Sequence, residues 1–513
     1  MTEGGNRGGR RKRPHAEGSG GAFANKDSDS KRRMEHRADH TAFDPADEAG
    51  HQASSAVPTS GTDIPSATRS VEGAGNLVPS PPGPALVNGQ GNVRLKAYSL
   101  IDKVYSWINL QAAWRRVRSN KGAHGLDRVT IRMFEADWQK HLTEIQRKLK
   151  EHRYVPQPVR RVYIPKPDDP SVRRPLGIPV VADRVVQQAL LQILDPLFDA
   201  DMSDRSFGFR KGRSAHHAIA TVIRDARDGY RCVLDADIAS FFDRLDRQVT
   251  MSRVERRVAD RRVLALIEAF LLAGVYEAGV VSVPQAGTPQ GGVISPWLAN
   301  LVLDDLDKAL ESKGYRHVRY ADDFVVLCTS PEEAAKAKEL VQEVLGQLKL
   351  SLHETKTRLT GFSDGFDLLG FHFRRFYLAI RSKSLDRFKD KVRLLTRRQQ
   401  GRNVDAVLQD LNPVLRGFAR YFGCADVSAS FKRLDTWVRM RLRAFKTKRR
   451  SRWNNRRRSL RNRRLAKWGL LSLVDCRPVL RLSYTRAAAP GPGSRLLATR
   501  DPRGVAQCGN AAR

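Results

Sequence analysis

Two aspartates stand side by side between two short apolar runs, and few folds tolerate that arrangement. The segment Tyr320-Ala321-Asp322-Asp323 follows the run His317 to Arg319 and precedes Phe324 to Cys328. Both runs read as strands, so the four residues form a tight hairpin between buried partners. Like charges at such a tip repel each other and lose solvent together. A divalent cation relieves both costs and turns the pair into a catalytic asset. The alternative is an Asp-Asp turn chosen for its turn chemistry alone.

A second acidic strand bears on that choice. Val233-Leu234-Asp235-Ala236-Asp237-Ile238 reads as a buried strand ending in acid, followed by Phe241-Phe242-Asp243. Side by side, the two strands would place Asp237 and Asp322 around the same ions. Two Mg²⁺ ions held a few Å apart can activate a 3′-hydroxyl and stabilise a leaving pyrophosphate. Asp235 shares a strand face with Asp237, so pattern alone keeps it open as a ligand.

Charge narrows the partner. Ninety-one Lys and Arg against fifty-five Asp and Glu leave the 513-residue chain at +36. Self-repulsion of that size points to a polyanionic partner, nucleic acid first and an anionic membrane surface second. The longest apolar stretch, Ala265 to Val283, contains Glu268 and Glu277 and reads as core helix and strand. No transmembrane span or secretory signal is expected. The five cysteines (Cys232, Cys328, Cys424, Cys476, Cys508) are scattered singly, which argues against a disulfide framework or a zinc knuckle. A cytosolic, nucleic-acid-facing protein is the expectation.

Residues 1–93 are rich in Gly, Ser, Ala, Pro and charge, and are expected to be disordered. Ile101, Val104, Tyr105, Ile108, Leu110 and Trp114 predict one helix, ended by the Gly122 and Gly125 loop. From there to about Arg381, strands such as Val159 to Ile164 alternate with helices such as Arg184 to Leu197. That pattern describes an α/β or α+β body. Beyond Leu385 the chain turns helical and basic. Lys432 to Lys467 carries seventeen Lys or Arg against one acid, Asp435, with Trp437, Trp453 and Trp468 interleaved. A solvated helix face normally mixes signs, so this run predicts RNA or DNA backbone binding. The tryptophans could pack the helices or stack on bases. The last residues, 476–513, read as a low-complexity tail.

Several ordered blocks resemble the reverse transcriptase–maturase proteins encoded by bacterial group II introns. Arg161-Val-Tyr-Ile-Pro-Lys-Pro167 with Arg174-Pro-Leu-Gly-Ile-Pro179 is similar to the family's first fingers block. Ser206-Phe-Gly-Phe-Arg210 with Gly212-Arg-Ser214 is similar to the second. Asp237-Ile-Ala-Ser-Phe-Phe-Asp243, Thr288-Pro-Gln-Gly-Gly-Val-Ile-Ser-Pro296 and Tyr320-Ala-Asp-Asp323 resemble palm blocks. Leu350-Ser-Leu-His-Glu-Thr-Lys356 and Leu368-Leu-Gly-Phe371 follow, and Leu415-Arg-Gly-Phe418 with Tyr421-Phe422 resembles the maturase domain. Lys211 and Arg247 stand where the family often has Pro and His.

The resemblance implies an α+β right-hand polymerase: fingers and palm over 94–380, then a basic helical thumb and maturase domain over 381–475. It implies an RNA-directed DNA polymerase using two Mg²⁺ ions, with Asp237 and Asp322 as metal ligands and Asp323 assisting. Lys166 and Arg174 would hold the dNTP triphosphate. Phe242 would exclude a ribose 2′-hydroxyl. Gln290 and Gly291 would run beside the templating base pair, where backbone must approach closely. Lys356 would protonate or neutralise the leaving pyrophosphate. Partners would be intron RNA, an RNA template with a DNA primer, and target DNA. The RNA-binding candidates are Arg441, Arg443, Lys446, Lys448, Arg449, Arg450, Arg456, Arg457 and Arg458. No cysteine-paired endonuclease domain is expected. The rival readings are a free-standing group II-like reverse transcriptase, for example in phage defence, and an RNA-binding splicing factor with a decayed polymerase.

Overall fold

Alternation of side chains decides how the central sheet is buried. In this computed structural model, residues 86–87, 93–94, 96–166, 169–283, 287, 291–375, 377–447 and 461–478 are described. Leu86–Val87 (β1) and Val93–Arg94 (β2) pair as a short antiparallel ribbon within and beside the stretch expected to be disordered. The rest of that stretch lies outside the described residues.

Helices come first: Ile101–Val104 (α1), Trp107–Ser119 (α2), Ile131–Ala136 (α3) and Trp138–Lys150 (α4). The single helix expected from Ile101 to Trp114 is thus two. Ser106 breaks it, because its side chain accepts from the Asn109 amide and caps the second helix. Val159–Lys166 (β3) and Asp169–Ile178 (β4) form a long antiparallel hairpin, followed by Val181–Asp199 (α5) and Ala215–Arg227 (α6). Cys232–Asp237 (β5) leads through Phe241–Arg244 (α7), Arg247–Glu255 (α8) and Arg261–Leu272 (α9) to the small hairpin Val275–Glu277 (β6) and Val280–Ser282 (β7). The sheet order β4-β3-β6-β7 returns that hairpin to the first one. The apolar stretch from Ala265 to Val283 therefore supplies helix and strand, as its two glutamates indicated.

Ser295–Ser312 (α10) precedes Arg316–Tyr320 (β8) and Asp323–Cys328 (β9), and Pro331–Gln347 (α11) precedes Arg358–Gly361 (β10). The central sheet runs β10-β5-β9-β8, antiparallel throughout. Its two faces bury different residues. Leu234, Ala236, Phe324 and Val326 pack with Val302, Leu306, Val341 and Leu345 of α10 and α11. Val233, Val318, Val325 and Leu327 pack with Ile219 and Val222 of α6. Each such aliphatic side chain removed from water stabilises the fold by about 1.5–3 kcal/mol.

A three-stranded antiparallel sheet follows, Phe366–Leu368 (β11), Phe371–Arg374 (β12) and Tyr377–Ile380 (β13). The chain then turns helical: Ser382–Leu395 (α12), Val404–Phe422 (α13), Ser428–Thr447 (α14) and Asn462–Lys467 (α15). Phe388 and Phe418 stack with ring centroids 4.0 Å apart, joining α12 to α13. The Tyr421 hydroxyl donates to the Leu369 carbonyl at 2.9 Å, tying α13 to the β11–β12 turn. The sheets are antiparallel except where β3 and β6 pair in parallel, and the fold class is α+β. No helix among the described residues is long and apolar enough to cross a membrane.

Candidate active site

Strand register assembles the acids. Asp237 at the end of β5 lies directly opposite Asp323 at the start of β9. Period-two alternation puts Asp235, Asp237 and Asp323 on the same sheet face as Val233 and Val325, just beyond the apolar core. Asp322 sits in the turn between β8 and β9, where Ala321 takes a left-handed φ of 59°. The hairpin expected at Tyr320–Asp323 is therefore present, and it brings all three expected ligands together with Asp235.

The carboxylates strain against one another. Burial pushes the Asp322 carboxyl above the usual range, and the Asp237 charge adds to this, while its own backbone amide, Arg174 and Lys356 pull it down. Asp323 reaches solvent at its open side. Its pKa is nevertheless raised to about 7, by desolvation first and then by the charges of Asp322, Asp237 and Asp235. Two cations already answer part of the charge. The Lys356 ammonium is paired with Asp237, and Arg358 Nε lies 3.1 Å from Asp235 Oδ2. Among the described residues no three His, Cys, Asp or Glu side chains converge tightly enough to cage an ion as they stand. The donor set still fits a hard cation. It offers oxygen ligands whose mutual repulsion positive charge relieves, on strands that fix their backbones.

Other expected residues are placed around this cluster. Arg174 lies exposed on β4, and its charge is felt at Asp322. Phe242 is half-buried on α7, its ring edge-on to the core ring of Phe241 at 5.2 Å. Gln290 and the Lys166 side chain lie outside the described residues. Gly291 is pressed against the protein backbone. With φ of 111°, its absent Cβ would fall 2.2 Å from the Gly177 carbonyl of β4.

The basic helices also differ from a simple array of exposed cations. Arg443 was expected at the RNA surface but is buried at 4% exposure, and its guanidinium donates to Asn462 Oδ1 at 2.5 Å. It holds α15 against α14. Arg441 is half-buried and donates to Thr396 Oγ1 at 3.1 Å. Lys446 is exposed, its ammonium 5.9 Å from the Trp468 ring centroid. Trp437 likewise lies under Arg393, so both tryptophans pack beneath cations against the core. Lys448, Arg449, Arg450, Trp453, Arg456, Arg457 and Arg458 lie outside the described residues.

The sequence reading missed the polar cluster beneath the turn. Arg319, wholly buried, donates from Nε to Asp307 Oδ1 at 2.8 Å and from Nη1 to Asn300 Oδ1 at 2.8 Å. Asp307 is held well below the usual carboxylate range: burial opposes this, but the charge and hydrogen bonds of Arg319 and His317 outweigh it. The signal in the sequence was Arg319 itself, a charged residue inside the strand Arg316–Tyr320.

Comparison with known proteins agrees with this architecture. The family model for reverse transcriptase (RNA-dependent DNA polymerase) matches residues 164–373, and that for the group II intron maturase-specific domain matches 385–465. Protein YkfC of Escherichia coli is 35% identical over 307 residues, covering 52% of this chain and 80% of YkfC. The group II intron-encoded protein LtrA of Lactococcus lactis subsp. cremoris is 29% identical over 359 residues, 56% of this chain and 58% of LtrA. Nuclear intron maturase 1 of Arabidopsis thaliana is 43% identical over 93 residues, 18% of this chain and 13% of that protein. With a reverse transcriptase segment carrying the acidic hairpin and a maturase segment carrying the basic helices, the chain belongs to the group II intron reverse transcriptase/maturase family.

Proposed function

We propose that this chain is an RNA-directed DNA polymerase that also binds its intron RNA to assist splicing and mobility. The observation that carries the polymerase reading is the register of Asp237 against Asp323, with Asp322 in the adjoining turn. Asp237 and Asp322, assisted by Asp323, would hold two Mg²⁺ ions, which supply a lowered hydroxyl pKa and charge neutralisation at phosphate. The chain's own residues do the rest. Arg174 lies where its charge reaches Asp322 and would steady the triphosphate of a dNTP, together with Lys166. Phe242 would present its exposed edge to the sugar and leave no room for a 2′-hydroxyl. Lys356, paired with Asp237, is a mobile cation on a long stem that can turn to a departing pyrophosphate. In this reading β3 and β4 belong to the fingers, the β10-β5-β9-β8 sheet is the palm, and α12 to α15 form the thumb and maturase region.

The exposed cations of that region, Lys446 among them, would grip RNA through phosphate. The partners proposed are intron RNA, an RNA template with a DNA primer, and target DNA. Primer extension on an RNA template tests the polymerase: Asp322→Asn should abolish it while leaving the protein folded. Retained extension would sink the metal assignment. Sequencing the RNA that survives stringent salt purification tests the splicing role. One dominant structured RNA from around the gene is expected, whereas a diffuse cellular mixture would indicate a free-standing enzyme.

A further inference from the structure

The Arg319 guanidinium is wholly buried on the α10 side of the central sheet. Neutralising it takes only Asp307, and a buried ion pair is a poor source of stability compared with apolar side chains of the same volume. Its remaining bonds show what else the charge does. Besides Asn300, Nη1 donates to the Ala321 carbonyl at 3.1 Å. That carbonyl belongs to the peptide plane whose other end is the Asp322 amide, so the bond reaches the backbone of the ligand residue itself. Fixing the oxygen therefore fixes the direction of the amide.

A second contact clamps the turn from the other side. Asn300 Nδ2 donates to the Gly208 carbonyl at 2.8 Å. A Cβ on Gly208 would fall 2.4 Å from the Ala321 nitrogen, so loop and turn touch backbone to backbone. The loop is also stitched to the strand below, through Phe207 N to Arg319 O at 2.9 Å and Arg319 N to Arg205 O at 3.0 Å. Ala321 is held left-handed, a conformation alanine avoids when left alone. Arg319 and Asn300 supply that restraint, since both reach the turn or the loop pressed against it.

We propose that Arg319, braced by Asn300, is a positioning residue that sets the Ala321–Asp322 backbone and thereby the divalent-cation affinity of the Asp237, Asp322 and Asp323 cluster. The proposal rests on the carboxylate cluster being a cation site, and the experiment separates the two claims.

The full chain is titrated with Tb³⁺, read by luminescence sensitised through neighbouring tyrosine, with Mg²⁺ as competitor. Thermal midpoints are recorded alongside, and binding is measured well below them. Arg319→Lys keeps a charge for Asp307 but loses the planar fork that spans Asn300 and Ala321. Asn300→Ala leaves the Arg319–Asp307 pair intact and, should the lysine variant fail to fold, decides the matter alone. Residues that orient ligands without touching the metal typically change affinity about tenfold. A rise of about that size in half-saturating Tb³⁺ is expected for both variants, with the Mg²⁺ requirement of primer extension rising in parallel. Asp435→Ala, which deletes from α14 the buried acceptor of the Leu473 amide, should lower the thermal midpoint without moving the Tb³⁺ midpoint. An Asn300→Ala protein that is less stable but binds Tb³⁺ as before would reduce the cluster to a structural brace and overturn the proposal. If Asp322→Asn also leaves Tb³⁺ binding unaltered, the cation site itself is refuted and the proposal falls with it.

Discussion

The acidic hairpin and the basic C-terminal helices face opposite electrostatic problems. The hairpin crowds like charges onto one end of a sheet, where backbone register prevents them from spreading apart. Asp323 shows the result, a carboxyl raised to about 7. The helices carry far more charge, but each cation sits on a flexible stem that can swing into solvent or fold back as packing. Arg443 is buried, whereas Lys446 stays exposed over the Trp468 ring. Rigid charge therefore calls for a particular ligand, while flexible charge offers a general affinity for polyanions.

The largest expected effect breaks the rigid side of this comparison. Asp322→Asn should cost roughly a thousandfold or more in primer extension, since it removes an oxygen donor that no neighbour replaces. Its thermal midpoint should not fall, because one repelling charge is gone; a clear drop in stability would show that the cluster holds the fold together. Next comes the apolar support of the helices. Phe418→Ala removes the ring stacked on Phe388 and should cost about 3–5 kcal/mol in denaturant unfolding.

Smaller effects sharpen the contrast between two nearby cations. Arg443→Ala should cost about 1–3 kcal/mol of stability by removing a buried side chain and its bond to Asn462, with the salt dependence of RNA binding unchanged. Lys446→Ala should leave stability within about 0.5 kcal/mol and reduce the salt slope by about 1. Identical slopes for the two variants would erase the distinction drawn from burial. The smallest effect is on pH. A carboxyl whose folded pKa lies above its unfolded value, about 3.9 for Asp, stabilises the fold at low pH and loses that contribution as pH rises through the folded value. The metal-free protein should thus become shallowly less stable between about pH 4 and 7, and Asp323→Asn should flatten the slope. A slope of the opposite sign would refute the direction assigned to Asp323.

Legibility in the sequence followed distance along the chain. Asp322 and Asp323 are adjacent and Asp237 ends a short strand, so local pattern named all three. The Arg319 cluster was invisible because Asp307, Asn300 and Gly208 lie in other elements, brought together only by the folded sheet and α10. Arg443 was misplaced for a related reason: charge reports how many cations a helix carries, whereas its phase against α15 decides which are covered. The break at Ser106 was missed, although a serine before a helical run is a capping signal. Gly291 was understood as a backbone needing close approach, yet nothing local says that the approaching atom is Gly177 O.

The core joining the two halves bears on how such proteins can be inherited. Val233, Val325 and Leu327 of the central sheet belong to the same buried cluster as Phe388, Leu415 and Phe431 of the basic helices. The family boundaries fall between 373 and 385, but the apolar interior does not stop there. A gene cut at that boundary would give two products, each exposing a face evolved to be covered. Recombination that swaps one half for a distant relative's must also match a surface of interlocking phenylalanines. The reverse transcriptase and maturase segments are therefore expected to travel together as one evolutionary unit, and to diverge by paired changes across that seam.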